Sequence, residues 1–237
     1  MPRPKRPREE RNRLLNALPP DEYERIRPLL AETTLELHKR LEEPGATSSY
    51  VYFPWSGVCS LTATMRDGRM VEVGTIGNEG VVGMSGYFGG QLPDVMTLVQ
   101  VPGSGAHVMR RGVFLAEMDR AGALYHLVRR YSQALLALMT QSVACNALHD
   151  IDQRCARWLL MTHDRVDGDV LELTQEYLAT MLGVRRPSVT DVARRLQREK
   201  LIDYRRGRIR IVNRSGLETR SCECYATVRQ HFERLVP

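Results

Sequence analysis

The stretch from Leu173 to Arg214, LTQEYLATMLGVRRPSVTDVARRLQREKLIDYRRGRIRIVNR, restricts the fold of this chain more than any other segment. Two short helical patterns meet there at Leu182-Gly183-Val184, and a basic hairpin follows. Thr174 is suited to cap the first helix, with Gln175 and Glu176 in its first turn. Tyr177, Leu178, Met181 and Leu182 recur at helical spacing and give it an apolar face, and Gly183 ends it. The second pattern starts at Pro187, because a first helical position has no N–H bond for proline to lose. Val189, Val192, Ala193 and Leu196 form its buried face. At about 100° per residue, Pro187, Asp191, Arg194 and Arg198 lie opposite. One face packs and the other presents charge. This predicts a helix-turn-helix whose second helix enters the DNA major groove.

Charge agrees with this reading. Gly183 to Arg214 holds eleven Lys/Arg against three Asp/Glu, a local +8, whereas the whole chain carries only +6. The basicity is concentrated where a phosphate-neutralising surface requires it. Between Tyr204 and Ile211, Ile209 and Ile211 alternate with Arg208 and Arg210 after Gly207, which predicts a β-hairpin wing. A different class of function is a ligand-binding or scaffold module that meets RNA or protein through its basic end. RNA recognition calls for aromatic stacking platforms, and only Tyr204 stands near the basic cluster.

At 237 residues the chain is long enough for two domains, each with its own core. Residues 1–13, MPRPKRPREERNR, lack an apolar segment and read as a basic flexible arm rather than a secretory signal. No apolar run reaches the roughly 18 residues of a membrane span, so a cytoplasmic protein is expected. Five scattered cysteines argue against a disulfide framework. No glycine-rich nucleotide loop, carboxylate pair or nucleophile motif points to an enzyme.

An α+β architecture emerges in chain order. Leu14 to Leu30 reads as a short helical hairpin. Short β-type runs follow at Thr34–His38, Tyr50–Pro54, Val58–Met65, Arg69–Ile76, Val95–Val101 and Ala106–Met109, with Asp67-Gly68 as a hairpin signal. They predict a compact β-roll within residues 14–118, closed by a short helix from Arg111 to Met118. Over residues 119–149, Leu124, Val128, Tyr131, Leu135, Leu138, Ser142 and Cys145 recur at spacings of four and three. They form an a/d seam expected to pair with a second copy, making the protein a homodimer. A second apolar line, Leu127, Ala134, Met139 and Val143, runs beside it. His149 to Asp152 break the pattern as a hinge, and Gln153 to His163 begins a new helix. A winged helix-turn-helix domain is expected over residues 150–221, with a C-terminal helix or tail over residues 222–237.

This order, together with Leu173–Ala179, Gly183–Ser188, Leu196–Ile202, Tyr50–Ser56 and Gly74–Gly83, resembles the cyclic-AMP receptor protein / fumarate-nitrate regulator (CRP/FNR) superfamily of bacterial transcription factors. The resemblance implies a dimer on a palindromic promoter, with RNA polymerase as a further partner. It places Arg186 against a guanine, which arginine can read bidentately. Pro187 and Asp191 stand where the family often has Glu and Arg, so a departure from the familiar half-site is expected. Asp191 either accepts from a cytosine or orients Arg194 or Arg195. Thr174 and Gln175 match phosphate-contacting positions at a helix N-terminus. Arg185, Ser188, Thr190, Arg194 and Arg195 complete the expected DNA face, with Arg205, Arg206 and Arg208 on the wing.

The sensor half departs from the family. Cyclic-nucleotide binders carry a Gly-Glu-x-x-Leu segment and then an arginine for the phosphate. Here the nearest matches are Val82-Gly83-Met84-Ser85-Gly86 and Leu92-Pro93-Asp94-Val95. Ordinary cyclic-AMP binding is therefore not expected, and no cofactor is assigned. Gly83, Met84, Ser85, Met139 and Thr140 are candidates for a pocket for another small molecule. The arm lacks the cysteine cluster of an iron–sulfur sensor. Cys222-x-Cys224 is a weak metal signal with only His231 nearby as a further ligand, so no metal site is assigned. Cys59 reads as core. His107, His126 and His149 read as ordinary polar residues rather than haem ligands.

Overall fold

The structure is a computed structural model that describes residues 11–84, 87 and 95–236. The N-terminal half carries α1 (Arg13–Asn16), α2 (Pro20–Ile26), β1 (Ala31–Leu35), β2 (Arg40–Glu42), β3 (Tyr50–Pro54), β4 (Val58–Thr64), β5 (Met70–Ile76), β6 (Val95–Val101) and β7 (Gly103–Arg110). Two antiparallel sheets, ordered β1-β7-β3 and β2-β6-β4-β5, face each other as the expected roll. β2 went unforeseen and β1 lies three residues earlier than its β-type run. Between β4 and β5, Met65 N donates to Arg69 O at 2.8 Å and Gly68 N to Met65 O at 2.9 Å. The hairpin therefore closes with a three-residue loop around Asp67-Gly68, where Gly68 takes φ 82.

The arm ends earlier than residue 13. Asn12 is fully buried, and its amide donates to Pro54 O at 2.7 Å and Gly80 O at 2.9 Å. Its Oδ1 caps α1. Arg13 N donates to Asn78 O at 2.7 Å, and the Arg13 guanidinium donates to Val236 O, tying the two ends of the described chain together.

α3 (Arg111–Asp119) closes the roll and leads into the long α4 (Ala123–Leu148). Gly122 offers no side chain to cap α4. Glu22 from α2 does so instead, accepting from Ala123 N at 2.8 Å and Leu124 N at 2.9 Å. A carboxylate there satisfies free N–H groups and complements the helix dipole.

The predicted dimer seam faces inward. Leu124, Val128, Tyr131, Leu138 and Cys145 are buried by this chain alone, and Leu135 and Ser142 are half-buried. The covering elements are the roll and α9 (Cys224–Leu235), whose Phe232 ring lies 6.4 Å from that of Tyr131. An a/d repeat specifies an apolar stripe, but not whether its partner belongs to the same molecule. The outward stripe is Leu136, Thr140, Val143 and Ala147, at spacings of four, three and four, with Leu136 64% and Val143 72% exposed.

α5 (Ile151–His163) opens with a capping box in which Asp150 accepts from Gln153 N. β8 (Val170–Glu172), α6 (Gln175–Leu182), α7 (Arg186–Arg198), β9 (Ile202–Arg205) and β10 (Arg208–Ile211) form the winged head, and α8 (Arg214–Arg220) joins it to α9. Two separate cores were expected. Instead, one apolar cluster runs from Leu14 to Val236. α5 and the head pack on β5: Trp158 Nε1 donates to Glu72 Oε1 at 2.8 Å, and Val71 lies beneath Gly183. Deeper still, the Arg165 guanidinium donates to Glu79 at 2.8–3.1 Å, with both side chains under a tenth exposed.

Glu72 gives this interface a pH dependence. Burial pushes its carboxyl up to about 7, against the opposing pull of hydrogen bonds from Ser60 and Trp158 and the charges of Arg157 and Arg165. The neutral form also fits the local hydrogen bonds. Ser60 Oγ sits 2.5 Å from Glu72 Oε2 and also contacts Gln100 Oε1, yet a hydroxyl has one proton. A protonated Glu72 donating to Ser60, which donates to Gln100, satisfies both contacts. The folded-state value lies above the ordinary 4.5, so the stability this group contributes is complete below 4.5 and is lost as pH rises to about 7. Glu72→Gln is expected to remove a loss of roughly 3 kcal/mol across that window. Denaturant titrations of both proteins at several pH values check this, and parallel pH profiles would refute it.

Candidate nucleic-acid interface

Local sequence builds the reading head. Thr174 Oγ1 accepts from Tyr177 N at 3.2 Å and so caps α6. Gly183 ends α6 in the left-handed region, φ 64, which a side chain would disfavour. α7 starts one residue earlier than expected, with Arg185 at the N-cap and Pro187 at the second helical position. Val189, Val192, Ala193 and Leu196 are buried, and Arg185, Arg186, Asp191, Arg194 and Arg198 are exposed. The amphipathic split is the one the sequence predicts.

The polar face is pre-arranged by internal pairs. Arg186, with its side chain 65% exposed, lies 3.6 Å from Glu176 across the turn. Such an exposed pair contributes little to stability. Thr190 Oγ1 donates to Gln175 Oε1 at 2.7 Å, locking α6 to α7. Ser188 is half-buried in the first turn of α7. Asp191 lies 3.5 Å from Arg194. Arg195 departs from the expected DNA face: it donates to both oxygens of Asp152, at 2.8 and 2.7 Å, and anchors α7 to α5. A bidentate guanidinium–carboxylate pair is strong and directional, so Arg195 acts as a tether.

The wing forms as predicted. β9 and β10 pair across Arg206 (φ 49) and Gly207 (φ 77), the two positive φ values of a tight hairpin turn, and β8 flanks β10. Arg205 reaches back to Asp203 at 3.1 Å and Arg208 to Glu172 at 2.9 Å, while Arg206 is exposed at the tip. On α6, Tyr177 stacks on His38 of the roll at 4.5 Å, so the head is docked against the roll.

Within the roll, Gly83 and Met84 line a cavity of about 90 Å³ together with Glu42, Leu61, Val81 and Leu135. Glu42 accepts from Thr97 Oγ1 at 2.8 Å on its wall. Ser85 and Asp94 lie outside the described residues. Thr140 does not belong to the cavity: it is exposed on the outer face of α4 and its hydroxyl donates back to Leu136 O at 2.9 Å. Met139 packs towards Gly74 instead of lining the cavity.

The three histidines are scattered. His107 meets the Trp55 ring at 4.7 Å and His126 meets Tyr125 at 5.2 Å. His149 approaches Cys145, Cys222 and Cys224, and the ligand atoms of all four lie within 4.8 Å of one another. His231 is not in that group. The cysteines of the described chain are all free thiols.

A β-roll, a long helix and a winged helix-turn-helix follow one another in this order. Residues 153–220 match the Crp-like helix-turn-helix domain, and the fold of the chain is that of the CRP/FNR regulators. A CRP-family transcriptional regulator from Thermus thermophilus is 19% identical, with 80% of this chain and 96% of that one covered and a TM-score of 0.65. FixK2 from Bradyrhizobium japonicum is 14% identical, with coverages of 81% and 98% and a TM-score of 0.65. The c-di-GMP-responsive global regulator CLP of Xanthomonas campestris is 19% identical, with coverages of 79% and 96% and a TM-score of 0.61. No curated protein matches the sequence.

Proposed function

We propose that this protein is a cytoplasmic, homodimeric, sequence-specific regulator of transcription that binds a palindromic duplex site and acts on RNA polymerase there. The observation that carries this reading is the exposed Arg185-Arg186 pair at the start of α7, whose opposite face is wholly buried. Arg186 reads a guanine edge, Asp191 orients Arg194, and Arg185, Arg205, Arg206 and Arg208 contact phosphate. The free N–H groups of α6 hold a further phosphate beside Thr174 and Gln175. RNA recognition has less support, since Tyr204 is half-buried against the core rather than presented as a platform.

The dimer forms through the outward stripe of α4, Leu136, Thr140, Val143 and Ala147. The sensor does not use cyclic AMP. Its cavity of about 90 Å³ is small beside the roughly 300 Å³ of the smallest ordinary ligand sites, and its described wall presents Glu42 and Glu43 rather than a cation for a phosphate.

The experiment is a gel-shift titration on sites selected from a random duplex library, repeated across salt concentrations. Arg186→Ala is expected to lower specific affinity by about 1–3 kcal/mol and relax one base position. Duplex binding indifferent to that change overturns the assigned reading head. Titration calorimetry with cyclic AMP tests the sensor, and saturable micromolar binding contradicts the reading.

A further inference from the structure

We propose that Cys145, His149, Cys222 and Cys224 form a site for a single zinc ion that fastens the C-terminal segment to the end of α4. Cys145 and His149 stand one helical turn apart near the end of α4, so both side chains leave the same face. Cys222 and Cys224 bracket Glu223 at the turn between α8 and α9. The three cysteines are buried and form a small cluster separate from the main core.

The distances suit one ion. Cys145 Sγ and Cys222 Sγ are 3.6 Å apart, as are Cys224 Sγ and His149 Nδ1, and no pair among the four ligand atoms exceeds 4.8 Å. Tetrahedral zinc with its usual bond to sulfur sets its ligand sulfurs about 3.8 Å apart. A disulfide needs about 2.05 Å. An iron–sulfur cluster spreads its cysteines over several metal atoms and needs a wider cage. Three sulfurs and one imidazole nitrogen are a ligand set that zinc takes in closed structural sites.

The surroundings are those of a metal site. His149 Nε2 lies 3.1 Å from the Glu223 carboxylate. A proton held there leaves the lone pair of Nδ1, the nitrogen facing the sulfurs, free to bind. Carboxylates orient metal-bound histidines in this way. Gln141 Nε2 donates to Cys224 Sγ at 3.0 Å, which supports a thiolate. Arg157, held by Ser142 Oγ at 3.2 Å, adds positive charge near a site whose three thiolates outnumber the charge of the ion by one. His149 is also the C-cap of α4, immediately before the residue that caps α5. The ion would therefore fix the hinge between the long helix and the reading head to the C-terminal turn, and its binding would add to folding stability.

The test uses the full chain purified under reducing conditions without chelator. Elemental analysis is expected to find one zinc per chain. Replacement by cobalt should give the intense visible bands of a tetrahedral ion with thiolate charge transfer. Cys222→Ser should lose the metal, and His231→Ala should keep it. His149→Cys should keep it while shifting the cobalt bands towards those of a four-thiolate site, a change that a merely structural histidine would not produce. The proposal is overturned by metal-free protein that takes up neither ion with its thiols reduced. A Cys145–Cys222 disulfide in the freshly purified protein, or full occupancy in Cys222→Ser, also overturns it.

Discussion

Replacing Arg165 with Met is expected to destabilise the protein by about 3–5 kcal/mol, because it leaves the Glu79 carboxylate buried without its partner. Arg165 holds three elements together. Its guanidinium donates to Glu79 in the roll and to Met161 O in α5 at 2.8 Å, and it lies 5.9 Å over the Phe232 ring of α9. Its own carbonyl accepts from Gly57 N at 2.8 Å, a contact that the substitution leaves intact. Burial alone would raise the Glu79 carboxyl; the Arg165 charge and hydrogen bonds outweigh it and hold the group below its ordinary value. The stabilisation is therefore present above pH 4.5 and lost as pH falls below it. In Arg165→Met the same carboxyl loses the opposing charge, so its pH dependence reverses sign. Equilibrium unfolding in urea at pH 7 and in mild acid measures both effects. A double change of Arg165→Met with Glu79→Leu should recover much of the loss, since a fully replaced buried pair is often near neutral. An unaffected single variant would show that the pair is not the keystone of the interface.

Charging the outward face of α4 is expected to separate the two copies of the protein. Leu136→Asp with Val143→Asp removes two large apolar groups that this chain leaves exposed and places like charges opposite each other across the proposed two-fold. Light scattering should read the monomer mass at micromolar concentration. Affinity for a palindromic duplex should fall by about 100-fold or more, because two linked heads bind with an avidity that one cannot reach. Single half-site binding and the thermal transition of the monomer should change little. A persistent dimer would place the two-fold on another surface.

The winged head was the most legible part of the sequence, and the reason is locality. Thr174, Gly183, Pro187 and Gly207 act on their immediate neighbours, and the apolar residues of α6 and α7 fall within two or three turns. The roll was legible through its β-type runs, although β2, at three residues, was too short to carry a pattern. The a/d stripe of α4 is apolar as its spacing predicts, and this chain's own roll and α9 cover it. α9 lies almost a hundred residues further along the chain. Arg195 shows the same limit: its charge and position suit DNA, and only the fold brings Asp152 to it. The group of Cys145, His149, Cys222 and Cys224 is legible only in part for this reason too: Cys222-x-Cys224 shows in the sequence, but Cys145 stands 77 positions from Cys222. Spacing rules find ligands that share a loop or a helix turn, but not a pair of ligands from each of two distant elements.

The place of β5 has a consequence for how the head can move. Among the described residues β5 ends its sheet, bonded only to β4, and α5 and the head pack against it through Trp158 and Gly183. An edge strand left bare is a template for pairing with other chains. Any signal that swings the head away from the roll therefore uncovers a sticky edge in the same motion. Strand-mediated self-association should rise with the open population, so aggregation kinetics can serve as a gauge of head release even before the signal itself is identified.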